Sequence, residues 1–163
     1  MLHKYFATIP NEELKYISSH ISKANRDEIA VWLDERPEEM DSAAVSLALR
    51  LTAIDSLTMF VLYDTKDRPG AFGCVSPGGA MSFVICEGID RKTYVRWLRH
   101  SREIVDHCAR LAGGEISCLV DSRNTLAQKW FAFAGLERHE ETTVTKAGVT
   151  FVYYDHRIPL AEQ

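Results

Sequence analysis

At 163 residues, with 46% hydrophobic and 26% charged residues, the chain has the makeup of one ordinary globular domain, long enough to bury roughly two thirds of the surface its unfolded form exposes. A formal net charge of -4 argues against non-specific nucleic-acid binding, which depends on clustered Lys and Arg, and no apolar run approaches the ~20 residues that cross a bilayer. The opening residues carry no secretory pattern and the four cysteines no C-x-x-C pairing, so the expectation is a single cytoplasmic domain over 1–163 with buried thiols, no bound metal, and a monomeric or homodimeric state.

Residues 4–9 suit a short edge strand, and residues 11–52 read as helices. Asn11 can cap a segment with Leu14, Ile17 and Ile21 on one face, and Asn25 with Glu28 resembles a capping box opening the run through Trp32. Pro37 suits the first turn of a third helix carrying Val45, Leu47, Leu49 and Leu51. Residues 57–86 change to strand chemistry: 57–63, 71–76 and 80–86 form an antiparallel meander around a Pro69-Gly70 turn and a Pro77-Gly78-Gly79 turn, and its last strand is expected to be central.

Over 90–112, Tyr94, Trp97, Leu98, Ser101, Ile104, Val105, Cys108 and Leu111 recur at helical steps, and Gly113-Gly114 ends the helix. The strand 115–120 then completes a right-handed parallel crossover. A helix starting near Ser122 or Asn124 buries Leu126, Ala127, Trp130, Phe131 and Ala134 and stops at Gly135. Strands 138–145 and 149–154, turning at Lys146-Ala147-Gly148, close the chain in a hairpin that ends near residue 155.

Within residues 115–136, the spacing of Val120, Asn124, Ala127, Trp130, Phe131, Gly135 and Leu136 resembles the pattern V-x-x-x-N-x-x-A-x-x-[LW]-[YF]-x-x-x-G-[FL] of the GNAT superfamily of N-acetyltransferases. In physical terms the Asn caps a helix, the Ala allows close helix-sheet packing, the aromatic pair fills the core, and the Gly ends the helix. The element order is similar too, over roughly residues 4–155. In style the chain is closest to GNAT-like proteins of short-tailed bacteriophages, with Arg26, Asp27 and Glu28 approximating an R-D-x-x-E element. The resemblance implies an α/β (α+β) fold with a central, mostly antiparallel mixed sheet of about six to seven strands flanked by helices. It also implies acetyl-CoA or CoA as cofactor, its pantetheine arm added like an extra strand along Phe83, Val84, Ile85, Cys86 and Glu87, with Asn124 and Phe131 beside the cleft.

Two departures qualify what the resemblance implies. Where the family carries a glycine-rich diphosphate loop, this chain has Cys86-Glu87-Gly88-Ile89-Asp90-Arg91-Lys92-Thr93, so Glu87 and Asp90 repel phosphate while Arg91 and Lys92 partly offset them. Where the family often has a tyrosine acid, this chain has Phe131, which leaves Tyr153 or Tyr154 as substitute donors. Glu87 is a candidate general base or a solvated strand-end carboxylate; Cys86 is a candidate nucleophile or, far more in keeping with its surroundings, a buried thiol. His100 and His107 have no metal-ligand spacing, and Arg91, Lys92, Arg96, Arg99 and Arg102 form a basic helix face. Two functions follow: an acyl-CoA-binding N-acyltransferase acting on an amine, or a catalytically degenerate scaffold of phage origin that acts in the host cytoplasm through a host metabolic enzyme, or inside a virion.

Overall fold

The computed structural model describes residues 1–160. Strand β1 (His3–Phe6) edges β2 (Thr58–Tyr63), which pairs antiparallel with β3 (Pro69–Val75), and β3 pairs with β4 (Met81–Ile85). Every residue of β2 is buried, because helices cover both faces of the sheet. Strand alternation sends Met59, Val61 and Tyr63 into a layer formed by α1 (Asn11–His20), α2 (Lys23–Trp32) and α3 (Ser42–Ala53). Phe60 and Leu62 face the opposite layer, formed by α4 (Arg91–Leu111) and α5 (Thr125–Phe133). Trp97 anchors that layer, fully buried, its indole N–H donating to the Tyr63 carbonyl at 2.9 Å.

The remaining strands form a second sheet in the order β5 (Glu115–Asp121), β7 (Val149–Arg157), β6 (Glu137–Lys146), all antiparallel. The β6–β7 hairpin turns at Ala147 and Gly148, both at positive φ, as a two-residue turn that matches strand twist requires. The two sheets meet at one parallel bridge, Ala80 with Ser117, where the Ser117 N–H donates to the Gly79 carbonyl at 2.8 Å. Beyond that joint β4 and β5 diverge. Seven strands and the flanking helices form as expected among the described residues. The expectation of a central last meander strand is corrected: β4 ends its sheet and faces a gap.

Gly79 is what lets the joint form. Its φ is +84°, and a Cβ built there lies 2.6 Å from the Glu115 carbonyl oxygen, so any larger residue pushes β5 away from β4.

Helix starts depart from the sequence reading at three places. Pro10, not Asn11, holds the cap position of α1, where no side chain caps the helix; Asn11 is the first helical residue and its Oδ1 accepts from the Arg50 guanidinium. The cap of α2 is Ser22, whose side chain accepts from the Asn25 N–H, so Asn25 lies inside the helix and its own side chain is free for another partner. Pro37–Glu39 is a separate 3-10 turn, and α3 begins after Asp41, whose carboxylate accepts the Ala44 N–H. Asn124 caps α5 through the Ala127 N–H at 3.1 Å, as its position in the motif predicts. No helix among the described residues is long and apolar enough to cross a membrane.

Candidate active site

The divergence of β4 and β5 opens a cleft of about 700 Å³, running from Ala80 and Ser117 at the joint, past Asn124 and Phe131 on α5, to a wall built from α2 and α3. Its floor holds Asn25, Glu28, Ser117, Cys118 and Asn124, and Tyr153 of β7 also faces it.

Glu28 is the chemically distinctive group. It is half-buried on α2, and loss of solvent pushes its carboxyl up to about 8; the nearby Asp121 charge adds to the rise, while Arg123 and the Asn124 side chain oppose it. Asp121 is buried, which by itself raises its carboxyl, yet the Arg123 guanidinium bound to it at 2.7 Å holds it below the usual range, so a fixed negative charge stands near Glu28. A carboxyl of this kind can take a proton from an amine once the pH approaches 8. The sequence marked Glu28 only as a helix-start residue. Periodicity could not reveal it, because its environment comes from β5 and α5, about 100 residues away in the chain.

The sequence-derived candidates divide into those the fold brings to the cleft and those it does not. Phe83, Val84, Asn124, Phe131 and Tyr153 line it. Tyr154 points to the other face of β7, buried against Phe131 with its hydroxyl 3.4 Å from Gln128 Oε1. Glu87 is exposed, and its carboxylate accepts the Lys23 N–H at 3.2 Å at the start of α2. Cys86 is buried and desolvation pushes its thiol up to about 12, which makes it a core residue with no thiolate to offer. Among the described residues one cluster has ligand atoms close enough for a metal: Glu137, His139 and Asp155, on the hairpin away from the cleft. There His139 Nε2 sits 2.8 Å from Asp155, and that hydrogen bond raises the imidazole's affinity for its proton, so the group is accounted for as an ion pair.

The edge of β4 determines how a pantetheine arm could be held. Cys86 N–H pairs with Gly70 O and Ser76 N–H with Ala80 O, so the even-numbered residues of β4 bond to β3 and the odd-numbered ones turn toward the gap. Ile85 and Glu87 are already occupied. Ile85 O accepts the Ser22 N–H at 2.8 Å, Ile85 N–H donates to Asn25 Oδ1 at 2.9 Å, and Glu87 N–H donates to the His20 carbonyl at 2.7 Å. The α1–α2 linker thus lies against the open end of β4 as a further strand. Phe83 is left with its N–H and C=O directed into the gap.

On the α4–α5 side, Phe83 stacks face to face on Trp130 at 4.5 Å with an interplanar angle of 5°, leaving only about 10 Å³ of space there. Trp130 is 2% exposed and its indole N–H has no acceptor, an orphaned donor on the ring stacked against Phe83. The Phe83 N–H and C=O are the kind of strand-edge groups that an extended, amide-bearing arm pairs with. The diphosphate end fits less well: the first turn of α4 is closed by Asp90, whose carboxylate accepts the Thr93 N–H at 2.9 Å, and Arg91 and Lys92 are exposed beside it. Asp90→Asn keeps the cap and removes the charge, so affinity for CoA is expected to rise several-fold at low salt and to converge with that of the unchanged protein in high salt, as titrations at two ionic strengths will show.

No protein-family model and no curated protein matches the chain. Solved structures do. A structure assigned as a phosphinothricin N-acetyltransferase superposes with a TM-score of 0.63 at 12% identity, covering 97% of this chain and 99% of that one. The spermidine N-acetyltransferase of Vibrio cholerae in complex with CoA and spermine gives a TM-score of 0.61 at 14% identity over 96% and 95% of the two chains. An aminoglycoside acetyltransferase in complex with coenzyme A gives 0.58 at 16% identity over 95% and 94%. At such identities the likeness is one of fold: this chain has the GNAT-type N-acetyltransferase fold.

Proposed function

We propose that the protein is an N-acyltransferase that moves an acyl group from an acyl-CoA to an amine held in the cleft between β4 and β5. The observation that carries this reading is the cleft itself, with Glu28 at its floor and the free edge of Phe83 at its side. The thioester supplies an activated acyl carbon. The chain's own groups do the rest. Glu28, ionised as the pH approaches and passes about 8, accepts the ammonium proton and frees the nitrogen lone pair. Asn124, held by its capping bond, presents its side chain to the Glu28 carboxyl and steadies the ionised form. The Phe83 N–H donates into the gap, and the Trp130 indole N–H finds its acceptor in the arm. Tyr153, whose ring faces the cleft, is the proton donor to the departing thiolate, in place of the tyrosine that Phe131 replaces.

A titration of the purified protein with acetyl-CoA, read by calorimetry, tests the reading, and Phe83→Ala sharpens it. Removing the ring vacates the space beside Trp130, so the variant is expected to bind at least as tightly as the unchanged protein. No heat from either protein contradicts the proposal.

One observation favours a second reading: the Phe83–Trp130 stack and the α1–α2 linker together close most of the cofactor groove. In that reading the fold is a non-catalytic scaffold that acts by binding a host protein, as the phage-like style of the sequence suggests. It predicts silence toward acetyl-CoA in both proteins, and a host enzyme recovered equally well by a cleft-blocked variant.

A further inference from the structure

We propose that the amine accepted by the cleft is a primary monoamine with one charged nitrogen on an apolar body, the nitrogen meeting Glu28 and the body lying against the α2–α3 wall. The proposal rests on the acyl-transfer reading and names its acceptor. Among the residues that line the cleft, Glu28 is the one Asp, Glu, Lys, Arg or His side chain. The lining from α2 and α3 is largely apolar, with Ile29 on α2, Leu33 just after it, and Leu49 and Leu51 on α3, and Val144 of β6 lines the cleft as well. Each further ammonium on a polyamine would be stripped of water against these walls with no second carboxylate to receive it. An anionic ligand is disfavoured by Glu28 and by the ionised Asp121 behind it.

The mouth carries the same chemistry. Trp32, Leu33, Leu51 and Val144 are large apolar side chains left exposed, and all four line the cleft. The Trp32 ring is fixed by packing on Phe151 at 4.7 Å, so the rim is a built surface. The nearby cation, Lys146, is tied down by the Trp32 carbonyl at 3.2 Å and Asp34 at 3.5 Å. A volume of about 700 Å³ is ample for an eight-carbon chain or an aryl group, and one carboxyl in an apolar pocket is the complement of one ammonium on an apolar tail.

The test is calorimetry of the free protein, without any thioester, against butylamine, octylamine and spermidine at pH 9. Glu28 and the amines then both carry charge, and the groups facing Glu28 are Asp121, Arg123, Asn124 and Cys118. Octylamine is expected to bind on the order of 100-fold tighter than butylamine, from about threefold to fourfold per methylene. Spermidine should bind more weakly than octylamine. Glu28→Gln is expected to lose about tenfold for octylamine. Leu33→Lys, at an exposed rim position, should weaken octylamine more than butylamine, because the longer chain loses apolar contact in addition to meeting the new charge. Equal affinities for butylamine and octylamine, tighter binding of spermidine, or a dimer that buries Trp32 and Leu51 and excludes octylamine would overturn the inference. Acyl transfer is assayed separately. Octylamine binding without transfer removes the transferase reading and leaves the ligand class standing; transfer to spermidine with no octylamine binding does the reverse.

Discussion

Glu28→Gln should lower the rate of acyl transfer by on the order of 10²–10³ near pH 8, and should remove the levelling-off above that value that the unchanged protein shows. With its carboxyl at about 8, Glu28 is mostly protonated at neutral pH, so the rate should climb close to tenfold per unit below that value and level off above it. Glutamine has the shape without the titration, so the plateau should vanish and the rate should go on rising with the fraction of free amine. Stability should move the other way. Because the folded value of about 8 lies above the ordinary 4.5, ionising Glu28 costs the native state nothing below pH 4.5, an increasing amount as the pH rises between these values, and a constant amount above 8. The variant should therefore match the unchanged protein in stability near pH 4.5 and exceed it above pH 8, by an upper bound on the order of 3–5 kcal/mol. Activity lost and alkaline stability gained by one substitution is the signature of a group held in a costly environment for its chemistry. Denaturant melts at pH 5 and pH 9, beside the rate profile, read both. A Gln variant with an unaltered profile removes Glu28 from the mechanism.

Gly79→Ala attacks the geometry that creates the cleft. The new Cβ would meet the Glu115 carbonyl at 2.6 Å in a backbone conformation at φ +84° that alanine disfavours, and the contact is with backbone, which cannot swing away. The strain and the weakened Ser117–Gly79 hydrogen bond together should cost about 2–4 kcal/mol, or a fall of roughly 6–12 °C in Tm for a chain of this length. Gly78→Ala is the control. A Cβ there meets only Ser76 Oγ at 3.9 Å, an ordinary contact, so thermal melts should barely change. Equal effects at the two positions would mean that the joint is not pinned at Gly79.

Much of this architecture can be read in the chain. The 90–112 helix, the Asn124 cap, the Gly135 stop and the closing hairpin carry strong local signals, and all lie within a few residues of where periodicity and turn chemistry put them. The errors have a common cause. Asn25 reads as a helix cap by local propensity, but Ser22 takes that role because Asn25 is needed to satisfy the Ile85 N–H 60 residues away. β4 reads as central by composition, while its position at a gap depends on a single bridge to β5 that no local pattern encodes. Of the residues that line the cleft, the motif points to Asn124 and Phe131, while the last strand offers Tyr153 and Tyr154 without choosing between them. Glu28 is not found, because a raised carboxyl is a property of its neighbours in space.

The account depends most on Phe83, whose backbone is the edge of β4 left facing the gap. Hydrogen exchange followed residue by residue, with and without acetyl-CoA, measures that directly. The Ile85 and Glu87 amides, bonded to Asn25 and His20, should exchange slowly in the free protein, and the Phe83 amide should exchange faster. Acetyl-CoA should then slow Phe83 selectively. A Phe83 amide already protected in the free protein, or one that saturating acetyl-CoA leaves unchanged, would contradict the reading of the gap as a seat for an acyl-bearing arm.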